Sequence, residues 1–167
     1  MGTDLNQTAA QQEDTMHGRY ITFALGEEEY GIEIRYVTEI IGMQPITPLP
    51  ETPEHVRGIV NLRGKVIPVI DMRQKFKMDA IDYTDRTCIL VIDTSELSAG
   101  LIADSVSEVM SISDEQVSLP PSGRMGIQNK CLKGIGIVNG ATKLLLDCDA
   151  LFIEDEIEQI NKTVKEQ

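Results

Sequence analysis

Few residues in this 167-residue chain are of the types that do acid–base or metal chemistry. The two imidazoles, His17 and His55, stand apart, one in a polar N-terminal stretch and one beside Pro53 in a turn-forming run. Cys88, Cys131 and Cys148 are odd in number, each borders an apolar run, and two histidines do not complete a zinc spacing with them. They read as reduced thiols packed like small apolar side chains. The run Gly134-Ile-Gly136-Ile-Val-Asn-Gly140 has the glycines of a nucleotide loop. Those glycines fall on strands and a hairpin, so no helix dipole faces a phosphate there. Gly-x-x-x-x-Gly-Lys, Gly-x-Ser-x-Gly and His-Glu-x-x-His do not occur. Carboxylates are abundant, but none sits in an apolar run that would raise its pKa. These residues predict neither an enzyme nor a cofactor or metal site.

The chemistry that remains is recognition. Arg57, Arg63, Lys65, Arg73, Lys75 and Lys77 fall within one short stretch against a single acid, Asp71. This is a basic face on an acidic chain of net charge −12. An arginine fork can grip a carboxylate or a carbonyl with two parallel hydrogen bonds, which makes Arg63 the candidate of most interest.

The elements that must position these residues are legible from turn chemistry. Gly58 to Leu62 and Val66 to Ile70 are β-branched runs flanking Arg63-Gly64, and Gly supplies the positive φ of a tight hairpin. Pro68 cannot donate to a ladder, which predicts a sheet edge or a bulge for the second arm. The same stretch recurs without a gap: Arg57 falls on Lys133, Gly58 on Gly134, Gly64 on Gly140, Asp71 on Asp147 and Phe76 on Phe152. Upstream, Gly31, Val37, Glu39 and Ile40 fall on Gly100, Val106, Glu108 and Val109, and Leu49-Pro50 on Leu119-Pro120. Three matched blocks in one order indicate an internal duplication, with units of about 19–86 and 87–153. Arg63 falls on Asn139 while the neighbouring glycines agree, so the turn does not itself require arginine. Val37 and Glu39 recur in both units, which assigns them a packing or ladder role first.

Arg19 to Leu25 and Glu29 to Ile34 read as a hairpin, and Arg35 to Ile41 as a strand running into a turn. Gln44 to Pro53, with four prolines, is an extended connector, and Pro53 to Val56 suits one helical turn. Asp79 to Asp85 is an acidic loop. In the second unit Cys88 to Ile92, Gly100 to Asp104 and Val106 to Ile112 are strands, and 119–130 is a longer connector. Asn139-Gly140 is among the strongest short hairpin signals. Residues 1–18 form a polar, acidic tail without enough apolar content to order, and 154–167 an amphipathic helix that caps the core, with a partner-binding helix as the alternative. Short, evenly spaced strands without long helices predict an all-β fold of two small barrels, with function expected at the seam between them. No apolar run approaches the roughly 20 residues of a membrane helix, and no signal core is present, so a cytoplasmic protein is expected. The acidic balance argues against nucleic acid and anionic membrane as partners.

At these residues the chain resembles the CheW family of chemotaxis coupling proteins. The stretches are Tyr20-Ile-Thr-Phe-Ala-Leu-Gly-Glu-Glu-Glu-Tyr-Gly-Ile-Glu-Ile34, Val37-Thr-Glu-Ile40, Gly58-Ile-Val-Asn-Leu-Arg-Gly64 and Val66-Ile-Pro-Val-Ile-Asp71. In the second unit they are Gly100-Leu-Ile-Ala-Asp104, Val106-Ser-Glu-Val109 and Leu132-Lys-Gly-Ile-Gly136. The resemblance implies two five-stranded SH3-like β-barrels, with strand exchange between them left open, and a C-terminal helix. It also implies a non-catalytic adaptor, monomeric on its own, that joins the cytoplasmic tips of chemoreceptors to the regulatory domain of the CheA histidine kinase. The family's interaction positions match Val37, Glu39, Gly58, Arg63, Gly64 and Gly134. The receptor tip would lie in the groove between barrels and the kinase at the barrel ends. A paralogous adaptor of a surface-motility array and, more remotely, a small-molecule-binding double barrel are the alternatives.

Overall fold

The computed structural model describes residues 17–95, 97–119, 131–152, 157–158 and 160–162. The tail at 1–16, the connector at 120–130 and most of 154–167 lie outside the described residues. In chain order the strands are β1 (Arg19–Leu25), β2 (Glu28–Glu33), β3 (Val37–Gly42), β4 (Val56–Leu62) and β5 (Lys65–Asp71). A four-residue helix α1 (Met72–Lys75) follows, then β6 (Cys88–Asp93), β7 (Ser98–Ala103), β8 (Ser105–Ser111), β9 (Val117–Ser118), β10 (Leu132–Val138) and β11 (Ala141–Leu146).

The strands form two sheets, one ordered β3-β6-β7-β5-β4 and the other β8-β1-β2-β11-β10-β9. Together they make an SH3-like double barrel. Neither sheet is built from one half of the sequence. The hairpin β1–β2 sits in the sheet of β8 to β11, and the hairpin β6–β7 in the sheet of β3 to β5. The two junctions have one register. Val69 pairs in parallel with Gly100, and its counterpart Leu145 pairs in parallel with Gly31. The duplication is therefore a geometric fact.

The extra strand of the second sheet, β9, is two residues long and pairs Ser118 with Ile135. Its counterpart is the isolated bridge between Thr47 and Ile59. In both barrels, then, the connector crosses the long hairpin at the same place. Gly58 and Gly134 permit that crossing. A Cβ at Gly58 would stand 2.1 Å from the Thr47 carbonyl oxygen, at a φ of +148°. At Gly134 it would stand 2.5 Å from Val117 Cγ1 and 3.0 Å from the Ser118 carbonyl oxygen.

Three local expectations differ from the structure. Residues Ile34–Tyr36 form a 3-10 turn that precedes strand β3, so the turn comes before the strand and not after it. Pro53 to Val56 is a single turn closed by the Val56 N–H on the Pro53 carbonyl, after which Val56 enters β4. Pro68 lies not at an edge but on an interior strand, between β4 and β7, next to the bulge of the β4–β5 ladder between Val56 and Gly58. It is tolerated because Ile59, its β4 partner, turns its own N–H and carbonyl to Thr47, so Pro68 faces Ile59 as a non-hydrogen-bonded pair. The β7 ladder begins only at Val69.

Each barrel has its own small apolar interior, Val60, Ile67, Val69, Ile89, Val91 and Ile102 in one and Tyr20, Ile112 and Leu145 in the other. The largest cluster lies between them and draws on both sheets, including Phe23, Ile32, Ile70, Leu90, Leu101 and Leu146. A stack of Phe23, Tyr30 and Phe76, with ring centroids 5.8 and 5.5 Å apart, runs through it. Phe152, the repeat of Phe76, is buried there too, as is Ile160 in the helical residues 160–162. The interior of the seam between the barrels is a packed core, so whatever binds along the seam meets it at the surface groove.

A part-buried clamp fixes the crossing from one sheet to the other. Asp104, between β7 and β8, receives both arms of Arg73 (Nε to Oδ1 2.8 Å, Nη2 to Oδ2 2.7 Å) and the N–H of Gly26 in the β1–β2 turn. The Arg73 guanidinium also donates to the Asp79 carbonyl at 2.6 Å. The hydrogen bonds from Arg73 hold the Asp104 carboxyl below the ordinary aspartate range.

Candidate functional site

The hairpin between β4 and β5 turns at Arg63 and Gly64, whose φ angles are +52° and +86°. Positive φ at both central residues is the primed hairpin turn that matches the twist of the flanking strands. The Asn61 carboxamide oxygen accepts from the Gly64 N–H at 2.9 Å and braces the corner. Asn139 and Gly140 repeat the geometry at +51° and +79°. Asn visits this region readily because its short amide can bond locally, whereas a long side chain there costs about 1–2 kcal/mol. Arg63 therefore occupies a position whose backbone favours Asn.

Its side chain is committed. Arg63 Nη1 donates to Glu39 Oε2 at 2.9 Å and Nη2 to Oε1 at 3.3 Å, a bidentate pair. Glu39 lies on β3, so the pair spans from the β4–β5 tip to the opposite border of the same sheet. The Arg63 side chain is 82% exposed and that of Glu39 28%. Such a pair contributes only about 0–1 kcal/mol to folding. What it does is hold one edge of the fork, leaving the rest of the guanidinium in solvent in a set orientation. Ile40 and Val66, next in sequence to Glu39 and Lys65, are partly exposed apolar neighbours.

Beside the pair is a recess of about 300 Å³ at the end of this barrel. Leu62, Ile67 and Val91 give it apolar walls, and Lys65 and Asp93 stand with Arg63 and Glu39 at its border. Lys65 Nζ donates to Ser98 Oγ at 3.1 Å, and that hydroxyl donates to Asp93 Oδ1. No local signal marked Asp93 and Ser98, because they come from the β6–β7 hairpin of the other sequence half.

Of the six sequence candidates, Glu39, Arg63 and Gly64 converge on this corner. Val37, half-buried at the start of β3, is two residues away along the strand and packs on the central cluster. Gly58 is buried near the opposite end of β4, and Gly134 lies in the other sheet. Their glycine requirement is met by the connector crossing.

The residues of catalytic type are dispersed. All three cysteines are free and buried, and burial pushes the thiols of Cys88 and Cys148 up. Among the described residues no group of three or more His, Cys, Asp or Glu could hold a metal ion, and no helix is long and apolar enough to cross a membrane. Asp71 and Asp147 do the same structural task, each capping the turn that follows its hairpin.

Comparisons with known proteins agree with this architecture. The chain is 32% identical over 152 residues to the chemotaxis protein CheW of Klebsiella aerogenes, covering 91% of this chain and 92% of that one. It is 34% identical over 146 residues to that of Treponema pallidum, covering 84% and 85%. The crystal structure of the scaffolding protein TtCheW from Thermoanaerobacter tengcongensis superposes with a TM-score of 0.76 at 33% identity, over 83% of this chain and 90% of that one. The family model described as the CheW-like domain matches residues 19–156, and the chain belongs to that family.

Proposed function

We propose that this protein is a non-catalytic chemotaxis adaptor that couples chemoreceptor cytoplasmic tips to the regulatory domain of a CheA-type histidine kinase. The observation that carries the reading is the exposed guanidinium of Arg63, set by Glu39 on a turn whose backbone favours another residue. A side chain kept against local preference, and worth little to the fold, has its use outside the fold. The protein acts in the cytoplasm, is recruited to receptor arrays, and is a monomer until it meets its partners. Residues 19–153 work as one body, with the receptor tip in the groove between the barrels and the kinase at the barrel ends.

Co-purification with a receptor cytoplasmic fragment and a kinase regulatory domain, added singly and together, tests the reading. A ternary complex is expected. Failure to retain either partner would refute it.

A further inference from the structure

The duplication lets each barrel act as a control for the other. Strand register sets the equivalences. Asp93 faces Ser98 across β6–β7 as Ala24 faces Glu29 across β1–β2, and Ile67 faces Val60 as Lys143 faces Gly136. The same barrel end can therefore be compared position by position.

In the barrel of β1, β2, β8, β10 and β11 the Ile67 position holds Lys143, which is 7% exposed. Its ammonium pairs with Glu29, at the Ser98 position. Glu29 also accepts from the hydroxyl of Ser107, at the Thr38 position, at 3.1 Å. The chain's own ion pair occupies that end. In the other barrel the equivalent end has the shorter Ile67 and Ser98, and the recess of about 300 Å³ opens there.

We propose that this recess is a socket for one large apolar side chain of a protein partner, carried beside an acidic residue. The proposal rests on the adaptor reading and adds to it the chemistry of the occupant. The apolar walls of Leu62, Ile67 and Val91 call for a Leu, Met or Phe side chain, since burying a polar group against them would leave it unpaired. The volume sits at the bottom of the range of small-ligand pockets, about 300–1,000 Å³, which is room for one anchoring side chain. Hot spots of protein interfaces have this form, an apolar anchor in a pocket. The border sets the flank. Both acids there are engaged, Glu39 by the Arg63 fork and Asp93 by the Ser98 hydroxyl. The donors left over belong to cations: among the described residues Lys65 donates only to Ser98, although an ammonium has three donors, and Arg63 is the more exposed member of its pair. A carboxylate beside the apolar anchor completes them. Lys65, whose repeat counterpart is Ala141, is thus a specificity-determining residue in addition to Arg63.

The test keeps Arg63 and Glu39 intact. The receptor cytoplasmic fragment and the kinase regulatory domain are each titrated calorimetrically into the full-length protein and two variants. One is Lys65→Glu, on an exposed side chain that the fold does not need. The other, Ile67→Lys with Ser98→Glu, imports the second barrel's own pair and closes the socket. At least tenfold weaker binding of one partner is expected for both variants, with the loss in Lys65→Glu shrinking as salt rises. If the double variant does not fold, Lys65→Glu decides. Wild-type binding with Lys65→Glu, or a folded double variant, within twofold of it for both partners overturns the socket and leaves the adaptor reading standing. A wild-type protein that binds neither partner overturns both.

Discussion

Arg63 grips Glu39 with both arms of its fork from a backbone position where its own counterpart is Asn139. The two facts pull stability in opposite directions. The exposed ion pair contributes about 0–1 kcal/mol, and the strained turn costs about 1–2 kcal/mol.

Arg63→Asn should therefore leave the unfolding free energy within about 1 kcal/mol of wild type. Loss of a charge from a partner interface costs about 2–5 kcal/mol, so partner affinity should fall well over tenfold. Arg63→Lys should recover only part, since a point charge cannot copy the fork. Thermal denaturation alongside titration calorimetry reads both numbers. A large stability loss with affinity retained would make the hairpin a fold element only.

Gly58 and Gly134 should respond unequally to alanine, although they are repeats. At Gly58 the new Cβ meets a backbone carbonyl at positive φ, so Gly58→Ala should cost about 3 kcal/mol or more. At Gly134 the backbone is not at positive φ, the nearest atom is a side-chain methyl and the Ser118 carbonyl oxygen stands at 3.0 Å rather than 2.1 Å, so a smaller cost of about 1–3 kcal/mol is expected there. Urea midpoints at constant slope check the order. Any loss of partner binding in these variants should track the fraction unfolded.

The Arg73–Asp104 clamp should make the protein acid-sensitive. Arg73 lowers the carboxyl pKa in the folded state, so the clamp's contribution is fully present above the usual aspartate value of 3.8 and drains away as pH falls below it. Asp104→Asn should be markedly less stable than wild type at pH 7, by roughly 2–4 kcal/mol for a part-buried pair. The gap between the two should narrow as the pH drops below about 4. Denaturation series from pH 3 to 7 on both proteins test this.

Cutting the chain in the 79–86 loop should yield two pieces that fold only together. Each would lack strands of both sheets, and an isolated hairpin is marginal in water. Neither fragment alone should unfold cooperatively, and an equimolar mixture should regain the native strand spectrum. A separately folded 1–86 fragment would contradict the exchanged pairing.

Much of this was legible in the residues. Asn139-Gly140 and Arg63-Gly64, set between β-branched runs, announce both hairpins because turn chemistry is local. The mismatch of Arg63 with Asn139, beside matching glycines, singles out that corner, and Glu39 proves to be the intramolecular partner of Arg63. The exchange of strands left no such mark. Only Leu144 and Leu145 pair with β2, and only Val69 to Asp71 with β7, by backbone contacts that any apolar residue could make. Pro68 marks the bulged ladder but not the interior strand, for a related reason: its permission to lie inside a sheet depends on Thr47, far away in sequence. The Arg73–Asp104 and Lys65–Ser98–Asp93 groups likewise join distant segments that only the fold brings together.

The exchange gives the two barrels different histories on the ribosome. Every strand of the β3-β6-β7-β5-β4 barrel lies between Val37 and Ala103, so that barrel can close while the rest of the chain is still being made. The β1–β2 hairpin emerges first and waits longest, because its neighbour β8 comes only after the other barrel is complete and its other neighbour β11 is the last strand of all. Until then Phe23, Leu25, Tyr30 and Ile32, all buried at the end, lack the strands that will flank them. A nascent chain halted just past Ala103 is a finished barrel trailing an unpaired, apolar hairpin, and it is there, with half the fold complete, that a chaperone has most to protect.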